Sequence, residues 1–292
     1  MNVDITLPDG SVRNYKSPVT GYQIAESIGP RLLKDAICVE IDNKFQDLSF
    51  EISENINIRI VTTKDLDALH ILRHSSAHIL AQAVLNLYPN AQFGVGPSIE
   101  NGFYYDFLFE TPIKENELEN IEKEMKRIAK SAQSFIRSEI TKKDAVKIFK
   151  NQKLKLELIE SAESDEGVGE EIVSTYANDD FIDLCMGPHV PTTSVLKHFK
   201  LTKVSGAYWR GDESNVQLQR IYGTSWFSKE DLDQYLIQQE EAEKRDHRKL
   251  GNELDLFTSS EELGSGNFLW KPKGAVLRKL TVKKHIYKMV IL

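Results

Sequence analysis

The stretch LDALHILRHSSAHILAQAVLNL, residues 66–87, decides how the rest of the chain is interpreted. Leu, Ile, Val and Ala crowd it, which predicts a long and largely buried helix. His74 and His78 lie on this helix, and residues four positions apart share one helix face. Both imidazoles can therefore point to the same place. His70 extends the stripe by one turn and is interpreted as a partly exposed residue near the helix end.

The segment before this helix, to about Val61, predicts a small β-rich unit. Alternating apolar residues, a Pro8-Asp9-Gly10 turn and a second strand-like run indicate a hairpin. Thr20 and Gln23 have the spacing of a capping box, which places the N-cap of a short helix at Thr20. Strand, strand, helix and further strands in this order are typical of a mixed sheet over one helix, as in ubiquitin-like folds.

Beyond the helix, hydrophobic periodicity predicts further strands and helices. Apolar residues at steps of three and four from Leu118 to Ala132 predict an amphipathic helix. The run 154–158 alternates, which predicts a strand with Lys155 as its solvated polar member. The remaining predictions are aromatic-rich strands over 92–109, strands over 172–176 and 180–185, and a polar connector helix from a capping box at Ser228 through Lys249.

The composition is that of an ordinary globular protein. The chain has 292 residues, of which 40% are apolar and 28% charged, and its net charge is −7. This length predicts two domains or three small ones, and the composition excludes collagen-like and low-complexity chains. No apolar run approaches the ~18 residues that a membrane span needs, and the N-terminus lacks a signal-peptide pattern. Cys38 and Cys185 make no disulfide framework, so we expect a cytoplasmic protein.

A second group of metal-binding residue types follows the strand predicted over 180–185. Cys185 and His189 flank a tight turn, and with His74 and His78 they supply four nitrogen and sulfur groups suited to tetrahedral zinc. A Cys with a nearby His is also a known nucleophilic pair, so a covalent role for Cys185 stays open. The chain has seven His and two Cys, so a shared polar site is favoured over coincidence.

Other residues are candidates around this site. Asp183 lies two positions before Cys185, so on a strand both side chains face the same side, and the carboxylate could orient an imidazole or hold an amine. The run Gly94-Val95-Gly96-Pro97 precedes no helix, which argues against a dinucleotide loop and favours close approach of the backbone to another group. Aromatic residues around Arg210 suit RNA stacking, although a structural sheet with a salt bridge explains them equally well.

Several long motifs, in the same order, resemble the threonyl-tRNA synthetase family. The connector and the segment after it resemble the family's entry into its catalytic domain, and the resemblance extends to about Arg278. Alanyl-tRNA synthetase editing domains and their freestanding relatives share only the His-x-x-x-His and Cys-x-x-x-His parts. The motifs are His74-Ser-x-Ala-His78, Gly96-Pro97, Asn101–Asp106, Asp183-x-Cys185-x-Gly187-Pro188-His189, Gly206–Asp212, Gln219–Thr224, Lys244–Gly251 and Leu254–Phe257.

The resemblance implies an α+β chain in four parts. Residues 1–62 would form a small TGS-like β-grasp domain, and residues 63–225 a larger α+β editing domain (the second additional domain) with a cleft. Residues 226–250 would form a linker helix. Residues 251–292 would be the incomplete start of a class II catalytic domain, because the sequence departs from the family pattern after about Leu280. We therefore expect a truncated chain that lacks the residues for threonine activation.

The resemblance also implies post-transfer editing, the hydrolysis of mischarged Ser-tRNA(Thr). His74 would position or deprotonate water, Lys155 would supply positive charge, and Asp183 would hold the amino-acid ammonium. The expected partner is tRNA(Thr), at its aminoacylated 3′ end. The editing-site residues that the resemblance assigns are His74, His78, Lys155, Asp183, Cys185 and His189, with Gly96, Tyr104, Asp183 and Arg210 at the substrate or tRNA end.

The resemblance implies no cofactor for editing, and it assigns the family's ATP, Mg and zinc to the catalytic domain. Zinc at His74, His78, Cys185 and His189 is the alternative for the cluster in this chain. Two other functions stay open: a non-catalytic tRNA-binding module, and a freestanding metal-dependent hydrolase of the alanyl-tRNA-editing kind. The resemblance leaves the oligomeric state undecided.

Overall fold

The computed structural model describes residues 1–161, 168–169, 171–259 and 267–290, without the side chains of residue 259 and of residues 283–290. Residues Met1–Leu232 group into one unit and residues Asp233–Leu292 into a second. The predictions that fall on residues 260–266 and 291–292, inside the incomplete catalytic segment, lie outside the described residues.

The N-terminal 62 residues form a mixed sheet with a short helix against it. Its elements are β1 (Asn2–Thr6), β2 (Val12–Lys16), β3 (Val19–Thr20), α1 (Gly21–Ile28), α2 (Pro30–Asp35), β4 (Ala36–Ile41), β5 (Lys44–Asp47), β6 (Glu51–Ile52) and β7 (Ile56–Thr62). The main sheet has the order β2-β1-β7-β4-β5, in which β1 and β7 are parallel. At the start of α1, Gln23 N–H donates to the Thr20 hydroxyl and the Gln23 side chain accepts from Thr20 N–H, so the capping box is confirmed. This is the predicted β-grasp domain.

A long helix packed on a second sheet follows. These elements are α3 (Asp67–Leu87), β8 (Gln92–Phe93), β9 (Ser98–Ile99), β10 (Gly102–Leu108), α4 (Leu118–Lys130) and two long strands that come later in the chain, His198–Tyr208 and Gln217–Trp226. The sheet runs from the His198–Tyr208 strand through Gln217–Trp226 and β10 to β8, with β9 on β10. Helix α3 packs against α4 and against this sheet, which explains why every residue from Ser75 to Val84 is buried.

A three-stranded sheet carries the second half of the candidate site. The elements here are β11 (Ile136–Thr141), α5 (Lys142–Ile148), α6 (Lys153–Ser161), β12 (Ile172–Asn178) and β13 (Phe181–Leu184). In chain order, the two long strands of the second sheet are therefore β14 (His198–Tyr208) and β15 (Gln217–Trp226). The sheet has the antiparallel order β11-β12-β13. The strand predicted over 154–158 is wrong, because these residues lie in helix α6. Leu154 and Leu158, four positions apart, are both buried there, and Lys155 is buried beside them.

The core of the first domain continues into the second. Ile37 and Val61 of the N-terminal sheet belong to the same buried cluster as Ile71 and Leu72 of α3. At the junction, Arg59 forms ion pairs with Glu40 of its own domain and with Asp65 and Asp67 at the start of α3. Continuous apolar contact and a bridging cation therefore tie the two domains together.

The second unit follows the polar connector. Its elements, counted from the helix that crosses into it, are α7 (Lys229–Lys244), α8 (His247–Glu253), β16 (Phe257–Ser259), β17 (Phe268–Trp270) and α9 (Pro272–Val290). The predicted connector helix through Lys249 is two helices, because Asp246 interrupts it and caps α8 by accepting a hydrogen bond from Arg248 N–H. Strands β16 and β17 pair antiparallel. No helix in the described part of the chain is long and apolar enough to cross a membrane.

Candidate functional site

Three imidazoles meet at the centre of the first unit. His74 and His78 project from one face of α3, as their spacing predicts, with ring centroids 5.1 Å apart. The ring of His189 lies 4.6 Å from that of His74 and 4.2 Å from that of His78. Residues that are more than a hundred positions apart in the sequence are thus brought into direct contact.

The turn after β13 brings a thiol into this cluster. Cys185 Sγ lies 3.0 Å from His74 Nε2 and 3.4 Å from His189 Nε2, and it accepts a hydrogen bond from Gly187 N–H at 3.2 Å. Gly187 has a φ of +76°, which favours glycine, and a Cβ there would lie 1.9 Å from the Tyr176 hydroxyl. The tight turn therefore depends on glycine, both for its backbone conformation and for space.

Ser75 sets the orientation of His189. Its hydroxyl donates to the carbonyl of Ile71 at 2.8 Å, lies 3.0 Å from His189 Nδ1, and accepts from Val190 N–H at 3.0 Å. Because the hydroxyl hydrogen is used on Ile71, His189 Nδ1 is the donor to Ser75. The Nε2 lone pair of His189 is then directed at Cys185.

The four side chains of this cluster could hold a metal ion. One ligand atom from each of His74, His78, Cys185 and His189 lies within 4.8 Å of all the others. Imidazole nitrogen and thiolate sulfur are the donors of tetrahedral zinc sites, and the Ser75 hydroxyl on His189 resembles the outer contacts that orient metal ligands. His78 Nδ1 is buried without a hydrogen-bond partner among the described residues. The donor set therefore fits zinc.

Burial keeps the histidines neutral. It lowers the pKa of His74 to about 4, an effect that the nearby His70 reinforces and a hydrogen bond with the Gly96 backbone opposes. Burial also lowers the pKa of His78 and of His189 well below the usual value, and the neighbouring imidazoles act in the same direction. Each ring therefore offers a nitrogen lone pair at neutral pH.

A buried ion pair lies beside the imidazoles. Lys155 is fully buried, and its Nζ is 2.5 Å from Asp183 Oδ1. The Tyr105 hydroxyl donates to Asp183 Oδ2 at 2.5 Å and accepts from Lys155 Nζ at 3.2 Å. His78 Nε2 lies 3.8 Å from Asp183 Oδ2. Lys155 is therefore no solvated lysine, and its charge acts first on the Asp183 carboxylate.

A cavity of about 680 Å³ opens beside these groups. Its lining combines neutral imidazoles, a thiol and a carboxylate with backbone and aromatic walls, so polar chemistry and shape selection can act on one ligand. The candidate site residues in the lining are His74, His78, Gly96, Asp183 and Cys185, joined by Tyr105 and His70. Gly96 packs so closely on the Tyr105 ring that a Cβ there would lie 2.1 Å from it.

Two predicted substrate residues lie elsewhere. Tyr104 is not in the cavity lining, because successive strand residues point to opposite faces and its neighbour Tyr105 takes the inner one. The Tyr104 ring instead lies under the Arg220 guanidinium, 3.8 Å from the ring centroid. Arg210, also outside the lining, donates a hydrogen bond to the Ser161 hydroxyl at 2.8 Å. Tyr105 therefore lines the cavity in place of Tyr104, and a role for Tyr104 at the tRNA end stays a prediction.

Comparisons with known proteins match both parts of the first unit. The TGS domain family matches residues 3–62, and the threonyl and alanyl tRNA synthetase second additional domain matches residues 173–222, which contain Asp183 and the site turn. A threonine–tRNA ligase from Burkholderia multivorans is 52% identical over 278 residues, which are 94% of this chain and 43% of that protein. The chain matches the N-terminal portion of threonyl-tRNA synthetases.

Other threonine–tRNA ligases give the same result. Those of Ralstonia nicotianae and Francisella philomiragia are 51% and 50% identical over 274 residues, or 93% of this chain and 42% of each protein. The chain thus spans less than half the length of the synthetases that it matches. The fold class expected from the resemblance, a β-grasp TGS domain followed by α+β structure, is confirmed.

Sequence reasoning missed Asp47 of the first domain. Its carboxylate accepts hydrogen bonds from the Tyr176 hydroxyl at 2.6 Å and from His189 N–H at 2.9 Å. These partners lie 129 and 142 positions away, so no local pattern could have indicated them. Tyr105 could have been considered from the sequence, because alternation along β10 allows either Tyr104 or Tyr105 to face inward.

Proposed function

We propose that this cleft hydrolyses the ester between serine and the 3′ end of tRNA(Thr), as a post-transfer editing site. The observation that carries the proposal is the convergence of His74, Cys185 and Asp183 on one cavity. A site that selects threonine gains only ~1–3 kcal/mol against serine from one methyl group, so the error needs a second, smaller site for its removal. The similarity to threonine–tRNA ligases supports this choice of substrate.

Water is the proposed nucleophile, held by His74. The depressed pKa of His74, about 4, keeps its imidazole neutral at pH 7, and its Nε2 would accept a hydrogen bond from water in place of its contact with Cys185 Sγ. Such a weak base contributes more by orienting the water than by complete proton removal. A bond forms between the water oxygen and the ester carbon, and the bond to the ribose oxygen breaks as that oxygen receives a proton. The products are serine and uncharged tRNA.

Asp183 is the proposed partner of the substrate ammonium. It lines the cavity while Lys155 and the Tyr105 hydroxyl fix its carboxylate from the buried side. An ionised carboxylate has about four acceptor positions, so it can take a further N–H bond from the ligand. Lys155 then positions Asp183 instead of touching the substrate, which revises the role expected for it.

Hydrolysis of Ser-tRNA(Thr) beside Thr-tRNA(Thr) tests the proposal. We expect release of serine in preference to threonine, and a ~100-fold or greater loss of the rate in His74→Ala, in the range that positioned acid–base groups contribute. His198→Ala is the matched control, because His198 lies on β14 outside the cavity lining. Equal rates for wild type and His74→Ala would refute the assignment. Tight binding of tRNA without hydrolysis would instead support a non-catalytic tRNA-binding module.

A metal-dependent hydrolase is the second candidate, because four ligand atoms cluster within 4.8 Å. His74, His78, Cys185 and His189 would hold zinc, which supplies Lewis-acid activation of water when bound. Metal analysis of the purified protein, before and after chelation, separates the two candidates. About one equivalent of zinc, with hydrolysis lost on chelation and restored by added zinc, would favour this candidate over the metal-free proposal.

Cys185 is the rival nucleophile, since its thiol contacts two imidazoles. In a covalent route the Cys185 sulfur bonds to the ester carbon, the bond to the ribose oxygen breaks as that oxygen takes the thiol proton, and water then hydrolyses the thioester to serine and free thiol. Cys185→Ala distinguishes the routes. The water route predicts a reduced but measurable rate, whereas the covalent route predicts none.

A further inference from the structure

The first domain supplies part of the cavity wall. Lys44, Phe45 and Gln46 of β5 line the cavity together with His74 and Cys185. Strand β5 is the edge strand of the N-terminal sheet, so this edge lies against the cleft. The TGS domain therefore meets the candidate site directly.

Asp47, the last residue of β5, joins this wall to the site turn. One carboxylate oxygen accepts from the Tyr176 hydroxyl at 2.6 Å, and the other accepts from His189 N–H at 2.9 Å. Both oxygens are thus bound by the second domain, on two different segments. Hydrogen bonds to a charged acceptor are stronger than neutral ones, so this link resists displacement.

Tyr176 connects the same carboxylate to the middle of the turn. Its ring lies edge-on to the His189 ring at 4.5 Å, and its hydroxyl lies against Gly187. Tyr176 is 1% exposed, so its ring has little room to move. Asp47 consequently fixes the backbone at His189 and, through Tyr176, the backbone at Gly187.

We propose that Asp47 is a positioning residue of the hydrolytic site, which holds the Cys185–His189 turn so that Cys185 Sγ lies between His74 and His189. The catalytic consequence rests on the proposed function, but the placement of the turn does not. The TGS domain then contributes to the site, because a carboxylate on its edge strand fixes the position of the Cys185–His189 turn.

Alkylation of Cys185 by iodoacetamide, followed by mass spectrometry of its peptide in the full chain, tests the placement of the turn. Cys185 is 4% exposed, so loosening of the turn should make its thiol more reactive. We expect alkylation about 5-fold faster or more in Asp47→Ala, and a smaller increase in Tyr176→Phe, which keeps the bond to His189 N–H.

Two control variants separate positioning from general loss of stability. Glu54→Gln removes an exposed carboxylate of the same domain and should leave Cys185 reactivity unchanged. Val19→Ala removes buried apolar atoms of the N-terminal core, away from the turn, and should lower stability without exposing Cys185. An equal rise in Cys185 reactivity in Val19→Ala and Asp47→Ala would overturn the proposal.

Hydrolysis of Ser-tRNA(Thr) gives the second readout. A displacement of about 1 Å in reacting groups costs about 100-fold in rate. We expect kcat to fall about 10- to 100-fold in Asp47→Ala while KM stays within about 3-fold, since Asp47 does not line the cavity that would bind the substrate. Unchanged kcat and unchanged Cys185 reactivity would refute the role of Asp47. Wild-type protein without hydrolysis would refute the proposed function, and Cys185 reactivity would then decide this inference alone.

Discussion

The Lys155 side chain has no solvent exposure, and its Nζ lies 2.5 Å from Oδ1 of the Asp183 carboxylate. Removing one member of such a pair leaves the other charge buried and unpaired, which costs about 3–5 kcal/mol. We therefore expect Lys155→Ala to lower the free energy of unfolding by about this amount in urea at pH 7. Lys153→Ala, an exposed lysine of the same helix, should change it by less than about 0.5 kcal/mol. A loss equally small in Lys155→Ala would contradict the buried pair.

The three imidazoles also make stability depend on pH. Each is a base whose folded pKa is lowered, to about 4 for His74, while the unfolded chain keeps the ordinary value of 6.5. Below pH 6.5 the unfolded chain therefore binds more protons than the folded one. The contribution of the histidines to the unfolding free energy is fully present above pH 6.5 and is lost as the pH falls towards 4. Asp47 has the opposite sign, because burial raises its pKa above the ordinary value of 3.8.

Urea unfolding between pH 4.5 and pH 8 measures this dependence. We expect the unfolding free energy to be nearly constant from pH 7 to pH 8 and to decrease steadily below about pH 6.5. The variant His78→Asn removes one of the three groups and should flatten the slope. A free energy that rises as the pH falls from 6.5 to 5 would be incompatible with neutral buried histidines.

At this scale the sequence predicted residue types better than their roles. The i, i+4 spacing placed His74 and His78 together because helix geometry is local. Tyr105 was not predicted as a residue of the cavity wall, since alternation along a strand does not reveal which face is covered. Lys155 looked solvated, because the sequence near it contains no sign of Asp183, its partner on strand β13.

Among the elements, the Cys185–His189 turn depends most on a single residue. Gly187 and Gly211 both have positive φ, but a Cβ meets the Tyr176 hydroxyl at Gly187 and nothing within 4 Å at Gly211. Gly211→Ala should therefore cost only the backbone strain, about 1–2 kcal/mol. Gly187→Ala should cost about 1–3 kcal/mol more, from overpacking.

Urea unfolding of the two alanine variants measures this difference, and hydrolysis of Ser-tRNA(Thr) is expected to fall only in Gly187→Ala. Similar losses of stability in both variants would mean that Tyr176 moves aside without cost. The pair isolates crowding from strain, since the two glycines share the same region of backbone conformation.

Elements whose apolar residues follow one clear helical period were predicted well, as α3 and α4 show. Helix α6 was mistaken for a strand because Leu154, Leu156 and Leu158 satisfy a two-residue period, while Leu154 and Leu158 also satisfy a helical one. A charged residue is normally expected to be exposed, so Lys155 was not recognised as part of the buried face of a helix. The connector was predicted as one helix because the cap at Asp246 lies within a continuous polar stretch.

For the first unit as a whole, the shared core predicts cooperative unfolding. Ile37 and Val61 of the first domain pack in the same cluster as Ile71 and Leu72 of α3. Native-state hydrogen exchange on the full chain should therefore give amides of β7 and α3 opening free energies within about 1 kcal/mol of each other. An N-terminal sheet that opens at least about 2 kcal/mol more easily than α3 would show that the domains unfold separately.

The domain arrangement in the sequence prediction came from the family resemblance, whereas the order of elements in the first 62 residues needed only strands, a cap and turns. The contact between domains had no such signal. Asp47 precedes Tyr176 by 129 positions, so only the folded chain brings them together. The boundary near residue 62 stays a prediction, although the TGS match ends there.

The carboxylate bridge from Asp47 to Tyr176 and His189 restricts how such proteins can be recombined. A chimera that exchanges the first 62 residues for those of a relative inherits whichever side chain that relative carries at the end of β5. The chimera would keep the geometry of the Cys185–His189 turn only where it has both the Asp47 carboxylate and the Tyr176 hydroxyl. Exchange of the first domain therefore depends on Asp47 and Tyr176 as well as on the residues at the junction.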